Sequence, residues 1–219
     1  MHSRLTNMKA HLATVLLMTS AVGGLAQGTF ILDDSASIYG LCLNGNGPAN
    51  WYSGTFGMEV WELNGTVIPS GINLSPGPGS GLMGYDAMVA GGFVKERTYV
   101  NRATICPGGF NLYELFMPDV NPHGSTVVVA LAAWNTGDAG WSAMLANANA
   151  ATRAGVVAFV QPTADPTILG MPPKDLTMDQ DLVMCAIPEP TGLALAGLGA
   201  AVLLARRSRQ PRESQNRVD

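Results

Sequence analysis

The stretch Ser125-Thr-Val-Val-Val-Ala-Leu-Ala-Ala133 is nearly continuous in apolar residues, and it decides the fold class of the chain. A short apolar run of this kind predicts a strand in the middle of a hydrophobic core. Around it, glycine and proline recur at short intervals, while valine, threonine and aromatic residues cluster between them. That distribution is typical of an all-β domain, in which turns separate many short strands.

Working outward from this run, the same features predict six more strands and one helix. The strands cover residues 29–32, 57–63, 66–69, 92–102, 109–117 and 155–161, and the central one covers 125–134. Asn64-Gly65 predicts a two-residue hairpin turn between two of them, because both residues tolerate positive φ. Residues 138–153 predict a helix of about three turns, with Asp138 as a candidate cap. We therefore expect a mainly β fold, a single β-sandwich-like domain with one inserted helix.

The first 26 residues have the three parts of a secretory signal peptide. Arg4 and Lys9 supply positive charge, residues 12–25 are apolar, and Gly24-Leu25-Ala26 supplies small residues at the positions that a signal peptidase reads. We predict export through the Sec translocon and cleavage by signal peptidase between Ala26 and Gln27. A retained membrane anchor is the alternative for this segment.

The C-terminal end has a different three-part order: Pro188-Glu189-Pro190, an uncharged apolar run, and a basic tail. As a helix, the apolar run at 191–205 is about 22 Å long, which is short for a bilayer core of about 30 Å. The basic side chains nearest the run are Arg206, Arg207 and Arg209. By the positive-inside rule they predict a membrane stop, with a transmembrane helix at 191–205 and a polar cytoplasmic tail at 210–219. A buried core helix is the alternative, but the run lacks a polar stripe.

This ordered set of features resembles the PEP-CTERM sorting domain of Gram-negative envelope proteins. The resemblance covers residues 187–209 and includes the Pro-Glu-Pro sequence, Thr191, the apolar span and the arginines. It implies recognition by an exosortase, a membrane-embedded cysteine protease or transpeptidase that removes the span and the tail at Pro188-Glu189-Pro190. It also implies transient residence in the inner membrane, then the cell envelope, cell surface or extracellular matrix, and a family association with exopolysaccharide and biofilm. The chain departs from the family in its longer tail.

A strongly acidic region lies between the two signals. Residues 27–187 contain five basic side chains against thirteen carboxylates, a net charge of −8, whereas the whole chain carries −4. Nucleic-acid phosphates require clustered lysine and arginine, so we exclude a nucleic-acid partner. We assign 27–165 to the folded ectodomain and the Pro- and Asp-rich 166–186 to a stalk between the domain and the membrane.

Cysteine and aromatic residues supply two candidate features of the ectodomain. Cys42 and Cys106 are candidates for a disulfide bond in an oxidising compartment, which leaves Cys185 as an odd thiol. Trp51 and Tyr52, beside an Asn/Gly-rich loop, are candidates for stacking on a sugar ring, with core packing as the alternative for the tryptophan.

Two long polar loops, 44–50 and 75–81, cannot sustain strands. On a β scaffold such loops are where binding resides, unless they are spacers. The second loop runs into Gly79-Ser-Gly-Leu-Met-Gly84, which matches GxGxxG. Because no strand precedes it, we do not predict a dinucleotide site.

The sequence predicts no cofactor and no dedicated metal site. Five aspartates offer oxygen ligands for weak calcium binding, with solvated surface acids as the alternative. They are Asp33, Asp34, Asp175, Asp179 and Asp181.

The ectodomain contains no convincing set of catalytic residues. His123 is its only histidine and lies in a turn-like sequence, so a histidine metal cluster is excluded and a catalytic triad depends on this residue alone. Glu59 and Glu62 beside Trp61 are the best carboxylate pair, but their odd spacing places them on opposite faces of a strand. We therefore predict a non-enzymatic protein. The alternatives are a secreted glycan-binding module that uses residues 44–52 and a secreted hydrolase.

Overall fold

The computed structural model describes residues 29–34, 37–116, 125–165, 168–169 and 171–188. Up to Ile187 these residues belong to one compact unit. The predicted signal peptide, the span at 191–205 and the tail at 210–219 lie outside the described residues. Within the described part of the chain, no helix is both long enough and apolar enough to cross a bilayer.

The described residues form eight strands in two sheets. The strands are β1 (Phe30–Asp33), β2 (Leu41–Leu43), β3 (Thr55–Asn64), β4 (Val94–Ala103), β5 (Asn111–Phe116), β6 (Thr126–Trp134), β7 (Arg153–Pro162) and β8 (Leu182–Ala186). The larger sheet has the strand order β2-β8-β7-β6-β3-β4, and β1 pairs with β5 in a smaller sheet. All paired strands are antiparallel except β2 and β8, which are parallel. The prediction of a mainly β protein is confirmed.

β6 lies in the middle of the larger sheet and is apolar throughout because both of its faces are buried. Val127, Val129 and Leu131 point to one side, into a core shared with β1 and β5. Val128 and Ala130 point to the opposite side. All five side chains are fully buried, which confirms the central core strand expected from the apolar run.

Two α-helices contribute to the second face of the larger sheet. They are α1 (Ser80–Ala90) and α2 (Trp141–Ala146). Met88 of α1 packs in a cluster with Trp61 of β3, and Met144 of α2 packs in a cluster with Trp134 of β6. The prediction of a single inserted helix is therefore wrong. The sandwich-like arrangement expected from the sequence stays a prediction.

α1 begins in the loop at 75–81 and packs closely on the sheet through its glycines. A Cβ atom on Gly81 would overlap the carbonyl oxygen of Ala154 in β7, and one on Gly84 would lie 2.8 Å from the carbonyl oxygen of Ile72. The GxGxxG match thus reflects the close approach of a helix to its neighbours.

α2 is shorter than the helix predicted for 138–153, and Gly140 precedes it in place of Asp138. The Asp138 carboxylate accepts hydrogen bonds from the Thr136 hydroxyl and the Asn147 side-chain amide instead. Both hydrogen bonds lower the pKa of Asp138 because they favour its charged form.

Residues 66–69 do not form the predicted strand, so the prediction of a hairpin at Asn64-Gly65 is wrong. β3 pairs with β4 on one side and with β6 on the other. The other six predicted strands correspond to β1, β3, β4, β5, β6 and β7. β2 and β8 were not expected from the sequence.

Residues 171–186 do not form the stalk that was predicted for 166–186. They include β8, which lies inside the larger sheet between β2 and β7. Leu182 and Met184 of β8 are fully buried, and Leu176 and Met178 before it are nearly so. The folded unit therefore extends to Ile187 and ends directly before Pro188.

Candidate functional site

The two polar loops singled out in the sequence meet at one cavity of about 220 Å³. Its polar lining comes from the first loop, the second loop with the residues just before it, and the segment before β8. These residues are Asn46, Asn73, Ser75, Ser80, Gln180 and Asp181. Ile72, Val156 and Val183 supply an apolar part of the wall.

The cavity lies where β7 and β8 separate. The two strands pair only at Arg153↔Ala186 and Ala154↔Cys185. Gly155 lies at the closest approach, because a Cβ atom there would overlap the carbonyl oxygen of Val183. Beyond this point the two strands no longer pair, and Val156 and Val183 both line the cavity.

Asn73 supports one wall of the cavity. Its side chain makes the hydrogen bonds to β7 that a neighbouring strand would make. Its side-chain nitrogen donates to the carbonyl oxygen of Ala158 at 2.7 Å, and its side-chain oxygen accepts from the Ala158 N–H at 2.8 Å. A single amide therefore pairs with both main-chain groups of one strand residue. These two hydrogen bonds hold the loop that follows Ile72 against the sheet.

Asp181 supports the opposite wall by joining two distant loops. Its Oδ1 accepts from the Gly40 N–H at 2.9 Å, and its Oδ2 accepts from the Gly47 N–H at 2.7 Å. The carboxylate is thus held by main-chain donors on either side of β2. Gly47 has a left-handed backbone (φ 84°), which glycine adopts without strain.

The roles of Asn73 and Asp181 were not predicted. Asp181 was considered only as a weak calcium ligand, and Asn73 was not considered as a binding residue. The only signal in the sequence was their position beside the polar loops. Their partners lie 85 and 134 or more residues away, and no local pattern records such pairings.

Trp51 and Tyr52 are only half-buried, but both are engaged with the fold. The Trp51 ring lies against Gly108, where a Cβ atom would approach it to 2.7 Å, and it packs beside Cys42 and Val183. Its indole nitrogen is buried. The Tyr52 hydroxyl donates to the carbonyl oxygen of Thr55 at 2.8 Å. The structure thus places neither residue among those that line the cavity.

Glu59 is a buried carboxylate, 2% exposed, on the helix side of β3. Its Oε2 accepts from the Trp61 indole N–H at 3.1 Å and from the Tyr85 hydroxyl at 3.2 Å. Its Oε1 accepts from the Trp141 backbone N–H at 3.2 Å and lies 3.5 Å from the Lys95 ammonium. Burial, and then the nearby Glu59 charge, raise the pKa of Tyr85 above its usual range.

Aromatic rings surround this carboxylate. Tyr85 stacks on Trp141 with ring centroids 4.3 Å apart, and it meets Trp61 edge-to-face at 5.6 Å. Glu62 is also buried, but it lies three residues from Glu59 along β3. Because side chains alternate between the two faces of a strand, Glu62 lies on the opposite face of the sheet from Glu59. The two carboxylates therefore do not share a cleft, and this is the arrangement that their odd spacing predicted.

The three cysteines are free thiols in the structure. Cys42 is buried in β2 and Cys106 is exposed, so the predicted Cys42–Cys106 bridge is not formed. Burial, and then the Asp181 charge, raise the pKa of Cys42 to about 12. Cys185 is buried in β8, in the same cluster as Cys42.

The candidate calcium ligands are dispersed. Asp33 accepts a hydrogen bond from the Asn111 side chain at 2.6 Å, and Asp34 accepts one from the Phe110 N–H. Among the residues that the structure describes, no three His, Cys, Asp or Glu side chains are grouped so that they could hold a metal ion.

The processing signals lie almost entirely outside the described residues. Of Pro188-Glu189-Pro190, only Pro188 is described. It follows Ile187, which is 7% exposed and packs in the cluster of Trp134 and Trp141. Also outside the described residues are Ala26, Gln27, His123, Arg206, Arg207 and Arg209.

Residues 186–210 match the PEP-CTERM protein-sorting motif. This match confirms the resemblance seen in the sequence, and it supports exosortase-dependent sorting of an exported protein. No curated protein and no solved structure matches the chain. The motif begins at the last residue of β8. It therefore bears on the sorting of the chain and does not identify an activity of the folded unit.

Proposed function

We propose that the chain is an exported, non-enzymatic protein of the cell envelope or extracellular matrix that an exosortase cleaves at Pro188-Glu189-Pro190. The match of residues 186–210 to the PEP-CTERM motif is the observation that carries this proposal. A signal peptide cleaved between Ala26 and Gln27 starts translocation through the Sec translocon. The helix at 191–205 then holds the precursor in the inner membrane.

The boundary of the fold supports this proposal. The compact unit ends at Ile187, and the sorting motif begins at Ala186. The fold and the motif therefore share only two residues. Cleavage after Ile187 would leave β8 and the rest of the sheet intact. The mature protein is thus the folded unit with its acidic surface, freed from its basic tail.

The positions of the acidic residues support a non-enzymatic role. Glycoside hydrolysis requires two carboxyl groups on either side of one bond, about 5 to 9.5 Å apart across an open cleft. Glu59 and Glu62 point to opposite faces of the sheet, and both are buried. Glu59 is also engaged by four donors, which suits a structural role for this carboxylate.

The intact mass and the subcellular fraction of the protein in its native host test this proposal. We expect the wild-type protein to lack both termini and to leave the inner membrane. A Glu189→Ala variant should keep its tail and stay in the inner membrane. A Glu213→Ala variant, which changes a tail glutamate outside the motif, should be processed like the wild type.

Two outcomes would overturn the proposal. If wild-type protein and the Glu189→Ala variant both keep a full-length C-terminus, the apolar run is an ordinary membrane anchor. If both are trimmed at equal rates, the cleavage does not depend on the Pro-Glu-Pro sequence.

A further inference from the structure

We infer that the cavity between β7, β8 and the two polar loops binds one neutral sugar ring. This inference is independent of the sorting proposal, because it rests on the geometry of the folded unit alone. The cavity of about 220 Å³ lies below the usual range for drug-sized ligands, about 300 to 1,000 Å³, which suits a single ring.

The chemistry of the lining matches a ligand with several hydroxyl groups. Asn46, Asn73 and Gln180 offer amides that both donate and accept hydrogen bonds, as a hydroxyl group does. Asp181 offers carboxylate oxygens, which accept strong hydrogen bonds from hydroxyl donors. Val156 presents an apolar surface to the C–H face of a ring.

The charge of the lining favours a neutral ligand over an anion. Among the described residues, those that line the cavity include the carboxylate of Asp181 and contain no lysine, arginine or histidine. A phosphate or carboxylate ligand would meet a like charge there without a basic partner. A neutral polyol has no such penalty.

Two of the lining side chains are held in place before any ligand arrives. Asn73 makes two hydrogen bonds to Ala158, and Asp181 makes two to the loops that carry Gly40 and Gly47. Each carboxylate oxygen has lone pairs left for a ligand after these bonds. Side chains that are already fixed lose little entropy on binding, which favours affinity for a small ligand.

Ligand-observed NMR on the full chain tests this inference. The chain is kept in a detergent without a sugar headgroup, and D-glucose and N-acetyl-D-glucosamine are the probes. Each probe is used at about 10 mM, since a ligand this small binds in the millimolar range. We expect saturation transfer from the wild-type protein to the ring protons of at least one probe.

Variants localise the effect to the cavity. Asn46 and Gln180 are lining residues whose truncation leaves the bonds of Asn73 and Asp181 in place. An Asn46→Ala/Gln180→Ala double variant should weaken binding at least about fivefold, as expected for the loss of two hydrogen bonds. Asn64→Ala, at an exposed asparagine outside the cavity, should bind like the wild type.

Three results would overturn the inference. The first is no transfer from wild-type protein to either sugar. The second is equal transfer from the double variant, which would place binding elsewhere. The third is displacement of the sugar by an equal concentration of inorganic phosphate, which would identify an anion site.

Discussion

Glu59 is the residue whose loss we expect to be most costly, because four donors converge on a carboxylate that is 2% exposed. Glu59→Ala should lower the free energy of unfolding by about 3 to 5 kcal/mol, since the Trp61 and Tyr85 donors lose their buried acceptor. Lys95→Ala should cost less than about 1 kcal/mol, because the lysine side chain is 47% exposed. Urea denaturation measures both. Equal losses in the two variants would mean that the lysine pairing, and not the set of buried hydrogen bonds, makes Glu59 important.

Asp34 gives the folded unit a pH dependence. It is 2% exposed, and burial raises its pKa from 3.8 to about 7, against the lowering effect of the Phe110 N–H. Between these values the folded state holds a proton that the unfolded state has released, so stability falls as the pH rises from about 4 to about 7. Relative to Asp34→Asn, wild-type protein should lose about 3 kcal/mol between pH 4.5 and pH 7.5, at about 1.4 kcal/mol per pKa unit. Denaturation curves at pH 4.5 and pH 7.5 measure the difference, and parallel behaviour of the two proteins would contradict the assignment.

Cysteine accessibility distinguishes the free thiols from the bridge expected between Cys42 and Cys106. In the native protein a maleimide should label Cys106 alone, because Cys42 and Cys185 are buried and burial raises the pKa of Cys42 to about 12. After unfolding without reductant, all three thiols should react. Intact mass counts the labels. A single label after unfolding, on Cys185, would show that the bridge forms in the exported protein.

At the scale of elements, the meeting of β7 and β8 depends on one small residue. Gly155→Ala should destabilise the protein by about 3 kcal/mol, because the new Cβ would overlap the main chain at Val183 and force the strands apart. Gly77→Ala is the matched control, since nothing lies within 4 Å of a Cβ at that position. Thermal denaturation of both variants tests this, and a control as unstable as Gly155→Ala would implicate glycine loss in general.

The elements that sequence predicted well are those whose evidence is local. β6 was expected because its apolar run reports burial directly, whichever face each side chain takes. α1 was missed because Gly81 and Gly84 weaken helix propensity, and the close packing that requires them is visible only in three dimensions. β8 was assigned to a stalk because five apolar residues follow a Pro- and Asp-rich segment, and its pairing partner β2 lies far away in sequence.

For the candidate site too, the sequence predicted the features that depend on local composition and missed those that depend on long-range contacts. The composition of the loops at 44–50 and 75–81 indicated either binding loops or spacers, and their convergence on one cavity depends on β8 entering the sheet. Trp51 was a candidate for ligand contact, with core packing as the alternative, because it is aromatic and lies beside a polar loop. Its ring instead covers Gly108, a contact that no spacing rule predicts.

For the molecule as a whole, the position of β8 means that the fold is complete only when the residues directly before the sorting motif are in place. β8 pairs with β2 on one side and β7 on the other, and Leu182 and Met184 enter the main core. The larger sheet therefore cannot close until residues 182–186 are available. Since the sorting motif begins at Ala186, the export route that we propose implies that the sheet is completed only when nearly all residues before the motif have crossed the membrane.

Two truncated chains test whether the fold is independent of the sorting tail. A chain of residues 27–187 should unfold cooperatively at the same denaturant midpoint as the full chain, because the compact unit ends at Ile187. A chain of residues 27–181 should fail to fold, because removing β8 opens the sheet between β2 and β7 and exposes the core that Leu182 and Met184 fill. Circular dichroism and urea denaturation distinguish these results. A folded 27–181 chain would restore the stalk assignment for this segment, and an unfolded 27–187 chain would mean that removal of the tail destabilises the mature protein.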